Sequence, residues 1–153
     1  MIDPVVRPAT RGDAGPLAVL EAEARASLVD ARGGRRWLEE HRLVGDGWAD
    51  LVDSANVHVA ELEVGDGDLV LVVGFLVLVI ENPIARVDQV YVTPEARELG
   101  FGDALLAAAT DSARAAGADV LEGEALPGDR ETKNLYERAK ITARLITVSR
   151  RLA

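Results

Sequence analysis

Two glycines a single residue apart, Gly100 and Gly102, stand in the stretch VTPEARELGFGDALL, Val92 to Leu106, where a β-branched run gives way to helix formers. Glycines at such a junction let backbone approach a ligand without side-chain obstruction. A helix that begins there offers unpaired amides and the positive end of its dipole. The chemistry this suits is the holding of a phosphate or pyrophosphate, and Arg97 can add a charge-assisted contact. Two well-known phosphate loops are excluded. The nucleoside-triphosphate loop needs a Lys after its last glycine, and none follows Gly102. The dinucleotide fingerprint needs a third glycine where Leu105 stands, and it belongs near a chain's first strand. The alternative is a strand-to-helix turn in which glycine only relieves strain.

Other reactive side chains are few. With no cysteine there is no disulfide, no thiolate metal site and no cysteine nucleophile. His41 and His58 are the only histidines and lack ligand spacing, so no metal is expected. Acids are more plentiful. Glu122 and Glu124 alternate along one strand-like run and so share a face, and Asp88 lies on the strand before the glycine loop. Arg32, Arg35 and Arg36 form a small basic patch that reads as a solvated loop, and Trp37 and Trp48 read as core.

The elements that must position these residues follow from pattern. Val5 to Arg7 reads as a short strand. Leu17, Leu20, Ala24 and Leu28 share a helical face, with Glu21, Glu23 and Arg25 mostly off it. Trp37 to Leu43 reads as a short helix and Asn56 to Val64 as a strand. Gly65-Asp66-Gly67-Asp68 is a hairpin turn leading into Val70 to Ile80. Ala85 to Val92 is a further strand, Asp103 to Ala116 a helix stopped by Gly117, and Val120 to Ala125 another strand. Asp129 caps a helix carrying Leu135, Tyr136 and Ala139, and Ile141 to Leu152 is expected to close the chain as a strand. The strand before the glycine loop and the strand at Val120, joined by a helix, imply a parallel right-handed crossover. The hairpins before it are antiparallel. The expected class is α/β (α+β): a mixed, mostly antiparallel sheet with a central parallel pair of splayed strands and helices on both faces.

Length and composition bound the rest. The 153 residues suit one domain spanning 1–153, without linker or repeat. Net charge is −9, which disfavours a nucleic-acid partner and fits a cationic one such as an amine. No segment approaches the ~20 apolar residues of a membrane span. The opening MIDPVVRPAT lacks a basic-then-apolar export pattern, so a cytoplasmic protein is expected.

Arg97-Glu98-Leu99-Gly100-Phe101-Gly102 resembles the Arg/Gln-x-x-Gly-x-Gly/Ala motif of the GNAT superfamily of acyl-CoA-dependent N-acyltransferases. The lead-in Val-Tyr-Val-Thr-Pro and the later Leu135-Tyr136-Glu137-Arg138 resemble the family's flanking sequence and second signature. Motif and element order cover almost the whole chain. The resemblance implies acetyl-CoA as cosubstrate, without a metal. Its pyrophosphate would lie on the loop from Arg97 to Asp103, with Glu98, Leu99, Gly100, Phe101 and Gly102 between. Its pantetheine arm would lie along backbone at Val90 and Val92, in the gap where that strand parts from the one at Val120. Asp129 and Asn134 are the expected pantetheine partners. The resemblance also makes Tyr136 the acid that meets the departing thiolate. Glu124 becomes the base, because the ribosomal-protein N-terminal acetyltransferases of this superfamily place a glutamate at that spacing before the tyrosine; Asp88 is the next candidate.

Four positions depart from the family pattern. Asp129 stands where Asn is common, Asn134 is a helical turn from the usual place, Leu99 replaces a basic residue, and Lys140-Ile141 replaces Gly-Phe. The expected activity is transfer of an acetyl group to a primary amine, on a small molecule or a protein, by direct attack in a ternary complex. The alternative is a domain that kept the fold and binds acyl-CoA or a protein partner without turnover. A third reading is an interaction module whose last strand pairs between subunits; a homodimer built that way is compatible with the enzyme too.

Overall fold

The structure, a computed structural model, describes residues 3–153; the first two residues of the stretch read for an export signal lie outside it. The chain runs through β1 (Val5–Pro8), α1 (Ala14–Leu28), α2 (Gly34–Glu40), α3 (Trp48–Ser54), β2 (Asn56–Val64), β3 (Leu69–Glu81), β4 (Ile84–Val92), α4 (Phe101–Ala115), β5 (Val120–Gly123) and α5 (Arg130–Arg138). The sheet follows chain order, β1-β2-β3-β4-β5. Its first three pairings are antiparallel, and β4–β5 is parallel across the α4 crossover.

The unbroken apolar run of β3 is explained by burial on both faces. Phe75 and Val77 pack with Leu17 and Leu20 of α1 and Trp48 of α3. Leu76 and Leu78 point the other way, onto Phe101, Leu105, Leu106 and Ala109 of α4. The mixed sheet with helices on both faces is the expected architecture.

Helix α3 is the element the sequence pattern does not announce, because its seven residues span too few turns to show a period. What holds it is Glu21, which is buried rather than on the outer face of α1. Its carboxylate accepts from Val44 N at 2.8 Å, Gly45 N at 2.9 Å and Trp48 Nε1 at 3.2 Å, tying α1 to the turn that starts α3. Asp13 plays a similar part at the start of α1. It accepts from the two terminal guanidinium nitrogens of Arg7, at 2.8 and 2.9 Å, and from the Thr10 amide at 2.8 Å. The hydrogen-bonded Arg7 outweighs burial and holds the Asp13 carboxyl below its ordinary range.

The last strand is corrected. Residues 141–153 form no helix or strand, and from Thr142 onward they are exposed. A strand needs an edge to pair with and a face to bury, and this segment forms no ladder with β5, the edge strand of its own sheet, and buries no face on it. The parallel pair therefore ends the sheet, with β5 at its edge.

The helix before that segment ends regularly in spite of its unusual sequence. Lys140 N donates to Glu137 O at 3.1 Å and Ile141 N to Tyr136 O at 3.0 Å, a Schellman closure with Lys140 at φ +64°. Lysine occupies a left-handed site that suits glycine. Lys140→Gly is expected to raise the unfolding free energy by about 0.5–1 kcal/mol. A urea midpoint shifted upward with unchanged slope would show it, and an unchanged midpoint would remove the strain.

Candidate active site

The site begins where two parallel strands part. β4 and β5 pair from Ile84↔Val120 to Val87↔Gly123 and no further, although β4 continues to Val92. At that point Asp88 is an extra residue: Val77 of β3 faces Gln89 and Leu78 faces Val87, leaving Asp88 without a partner. Such a bulge bends its strand and increases local twist, and bulges gather beside functional sites. Past it, the β5-facing side of β4 carries no strand, so the backbone from Asp88 to Val92 is open to a ligand.

One end of this opening is the glycine loop. Gly100 sits at φ +89° as the cap of α4, and among the described residues no side chain caps that helix. The first intrahelical bond is Ala104 N to Gly100 O at 3.0 Å, so the amides of Phe101, Gly102 and Asp103 precede the helical ladder. A Cβ on Gly102 would meet Leu135 Cδ1 at 3.3 Å, so glycine there lets α4 start close beside α5. A cavity of about 440 Å³ lies against this loop. Among its walls are Val90, Val92, Arg97, Glu98, Gly100, Phe101, Gly102, Asp103, Asp129 and Asn134. An uncapped helix start opening on a cavity fits a pyrophosphate.

Several expected contacts are already engaged elsewhere. Arg97 Nε donates to Val92 O at 3.0 Å, and its guanidinium lies 5.6 Å from the Tyr91 ring centroid, so it braces the strand end. Asp129 accepts from Thr132 N at 3.2 Å and Thr132 Oγ1 at 2.6 Å, the work of a helix cap. Asp103 Oδ1 takes Arg138 Nε at 3.0 Å. Leu99 does not line the cavity.

The other end is a second cavity, of about 410 Å³, which shares Ala24, Leu28, Val90, Tyr91, Asp129 and Thr132 with the first. It brings together Asp88, Glu124 and Tyr136, the three residues expected to do the chemistry. Glu124 is exposed and lies one residue past the end of β5, so the strand is shorter than the expected Val120 to Ala125. Glu122 is not in this wall; it meets Arg144 at 3.5 Å. Tyr136 is buried, and its hydroxyl makes no hydrogen bond among the described residues. Burial first, then the charges of Asp129 and Glu124, push the phenol well above its ordinary value, so it keeps its proton at neutral pH.

Some of the site lies outside the candidate residues that the sequence motifs single out. Gly123 is the main example: a Cβ there would stand 2.3 Å from Tyr136 Oη, so its absence is what admits the hydroxyl. A glycine between two glutamates inside a strand is the signature of such a close approach. Trp37, expected in the core, instead lines the second cavity, stacked on His41 at 4.1 Å. Arg25 fixes that helix end by donating to His41 O at 2.9 Å and Leu38 O at 3.1 Å. Glu23, on the outer face of α1, accepts from Tyr91 Oη at 3.0 Å and Thr93 Oγ1 at 2.8 Å, tying α1 to the end of β4. Burial, then Glu23, pushes the Tyr91 phenol up to about 12.

Comparison with known proteins agrees with this geometry. Residues 53–139, more than half the chain, match the family described as acetyltransferase (GNAT) domain. No curated protein matches the sequence. Among solved structures, a ribosomal-protein-alanine N-acetyltransferase from Brucella melitensis is 21% identical, with 99% of this chain and 100% of that one covered and a TM-score of 0.69. A tetramutant of the BH1408 protein from Bacillus halodurans is 16% identical, covering 97% and 99%, at 0.75. The PaiA N-acetyltransferase from Thermoplasma acidophilum, solved with coenzyme A, is 14% identical, covering 90% and 89%, at 0.70. At these identities the likeness is one of fold.

Proposed function

The chain belongs to the GNAT acetyltransferase family, and we propose that residues 1–153 act as one domain that moves an acetyl group from acetyl-CoA to a primary amine of a small molecule or protein. The observation that carries this reading is the parting of β4 from β5 at Asp88, which joins an uncapped helix start to the Tyr136 hydroxyl along one open strand edge. Bound acetyl-CoA would supply a thioester: the carbon–nitrogen bond to the amine forms, the carbon–sulfur bond breaks, and the amine's proton replaces the acetyl group on sulfur.

Each remaining part of the work falls to a residue of this chain. The amides of Phe101, Gly102 and Asp103 hold the pyrophosphate, and the open backbone at Val90, with the amide of Val92, whose carbonyl Arg97 already takes, holds the pantetheine arm. An alkylammonium has a pKa of about 10.4 and must lose a proton before attack. Glu124 takes that proton, with Asp88 as the second candidate in the same wall. A backbone amide at the end of β4 faces the oxyanion. Tyr136, held protonated, donates to the departing sulfur. No acyl-enzyme on sulfur is available, because the chain lacks cysteine.

A second reading, binding without turnover, is favoured by two observations. Arg97 occupies the Val92 carbonyl, and Asp129 spends both oxygens on Thr132. Titration calorimetry with acetyl-CoA, followed by thiol release across a set of amines, separates the two. Gly100→Glu is expected to abolish binding by setting a carboxylate against the pyrophosphate. Gly100→Ala, with left-handed strain of about 1–2 kcal/mol and a Cβ 3.3 Å from Pro4 Cγ but no added charge, is expected to keep it. Binding without thiol release for any amine would favour the second reading. No binding by the folded wild-type chain would overturn both.

A further inference from the structure

An amine that attacks beside Glu124 and Tyr136 does so from the second cavity, and the rest of the acceptor has to fit that cavity's walls. At about 410 Å³ it lies toward the small end of ligand pockets, which run from roughly 300 to 1,000 Å³. Its walls are mainly apolar, with Leu28, Phe75, Val87 and Leu126 among them, and Trp37 and His41 enter as a stacked pair. The pair is fixed in place. His41 Nδ1 lies 2.7 Å from Trp37 O, and Arg25 ties down the carbonyls of His41 and Leu38. A fixed aromatic pair in a cavity wall suits an apolar ring and an ammonium alike.

Charge narrows the fit. Both guanidiniums of the wall are engaged: Arg25 on those two carbonyls, and Arg86 with its Nη2 3.7 Å from Asp88 Oδ1. Glu124 makes no ion pair among the described residues. An ammonium therefore finds a carboxylate ready for it. A carboxylate or phosphate on the acceptor would be desolvated without a free cation, beside Glu124 and in a chain of net charge −9.

A polypeptide has no open groove on the side where α1 ends. A Cβ on Gly128 would stand 2.8 Å from Arg32 N and 3.3 Å from Ala31 Cβ, and one on Gly33 would stand 3.3 Å from Leu126 Cδ2. The turn after α1 thus lies directly on the loop after β5. Leu28 and Leu126, one from each side of that contact, both line the cavity.

We propose that the acceptor is a small arylalkylamine, with its ammonium toward Glu124, its ring against Trp37 and the apolar wall, and no anionic group. This acceptor narrows the acetyl-transfer reading and rests on it for the reaction, though not for the binding.

Thiol release is compared for phenethylamine, for free phenylalanine, which adds only a carboxylate, for putrescine, which lacks a ring, and for a hexapeptide with a free N-terminus. Phenethylamine is expected to exceed phenylalanine in kcat/KM by about a hundredfold, and to exceed the other two as well. Trp37→Leu should raise its KM about tenfold, with kcat and coenzyme affinity unchanged, and Trp37→Phe should restore most of the loss. Equal or better use of phenylalanine, putrescine or the peptide, or an unchanged KM in Trp37→Leu, would overturn the inference and leave acetyl transfer standing. Binding without turnover is read by saturation-transfer NMR on the phenethylamine ring protons. A signal that weakens in Trp37→Leu, with no thiol released from any amine, would uphold the binding chemistry and remove acetyl transfer. No signal and no turnover would overturn the inference.

Discussion

Replacing Tyr136 with phenylalanine is expected to lower turnover by about 10²-fold or more while leaving coenzyme affinity unchanged. The Tyr136 ring is fixed by burial in the core cluster of α4 and α5, and by a helix capped at Asp129 and closed at Ile141. Its hydroxyl makes no hydrogen bond among the described residues. The substitution therefore removes an oxygen from the cavity and nothing from the scaffold, so stability should change little. The raised phenol pKa fixes the pH behaviour. A group that keeps its proton through the neutral range contributes no alkaline limb there, so the acidic limb set by the base should survive in the phenylalanine variant at the same pH. Rates come from thiol release under saturating amine, and affinity from calorimetry. An unchanged rate would take Tyr136 out of the acid role; a rate and an affinity that fall together would make it a binding residue instead.

Much of this arrangement is legible in the sequence, and the part that is not has physical reasons. The glycine loop announces itself because Gly100 must adopt φ +89° and α4 must start beside α5, and few other residues permit either. β2 and β3 are visible because burial on one or both faces leaves a periodic or continuous apolar run. The fork is harder to see. It arises from one unpaired residue, Asp88, whose register depends on a strand far away in the chain, and an aspartate in a strand says nothing of its opposite number. Glu21 and Glu23 are equally silent: both sit on a helix whose apolar stripe directs attention to Leu17 and Leu20, yet each fastens a distant turn or strand end. The final segment fails in the opposite sense. Its composition signals a strand, but composition cannot supply an edge, and the chain's own β5 is four residues long.

Gly123→Ala is expected to lower turnover by about 10²-fold through Tyr136, which the added methyl displaces while the hydroxyl itself is kept. The new Cβ would stand 2.3 Å from Oη, 2.5 Å from Cζ and 2.9 Å from Cε1. Gly123 is paired with Val87 in the sheet, so its backbone has little freedom to retreat. The tyrosine must yield, and a shift of about 1 Å at its hydroxyl is enough to spoil its approach to the departing sulfur. Overpacking should also cost about 1–3 kcal/mol of stability. The two effects separate in a double-mutant cycle with Tyr136→Phe. Phenylalanine keeps Cζ and Cε1, so alanine should destabilise that background almost as much as it does the wild type. It has no hydroxyl to displace, so alanine should cost that background almost no further turnover. Turnover effects that multiply in the double variant would mean that Gly123 serves something other than the placement of Tyr136. Wild-type turnover in Gly123→Ala itself would mean that the reaction does not depend on where that hydroxyl stands.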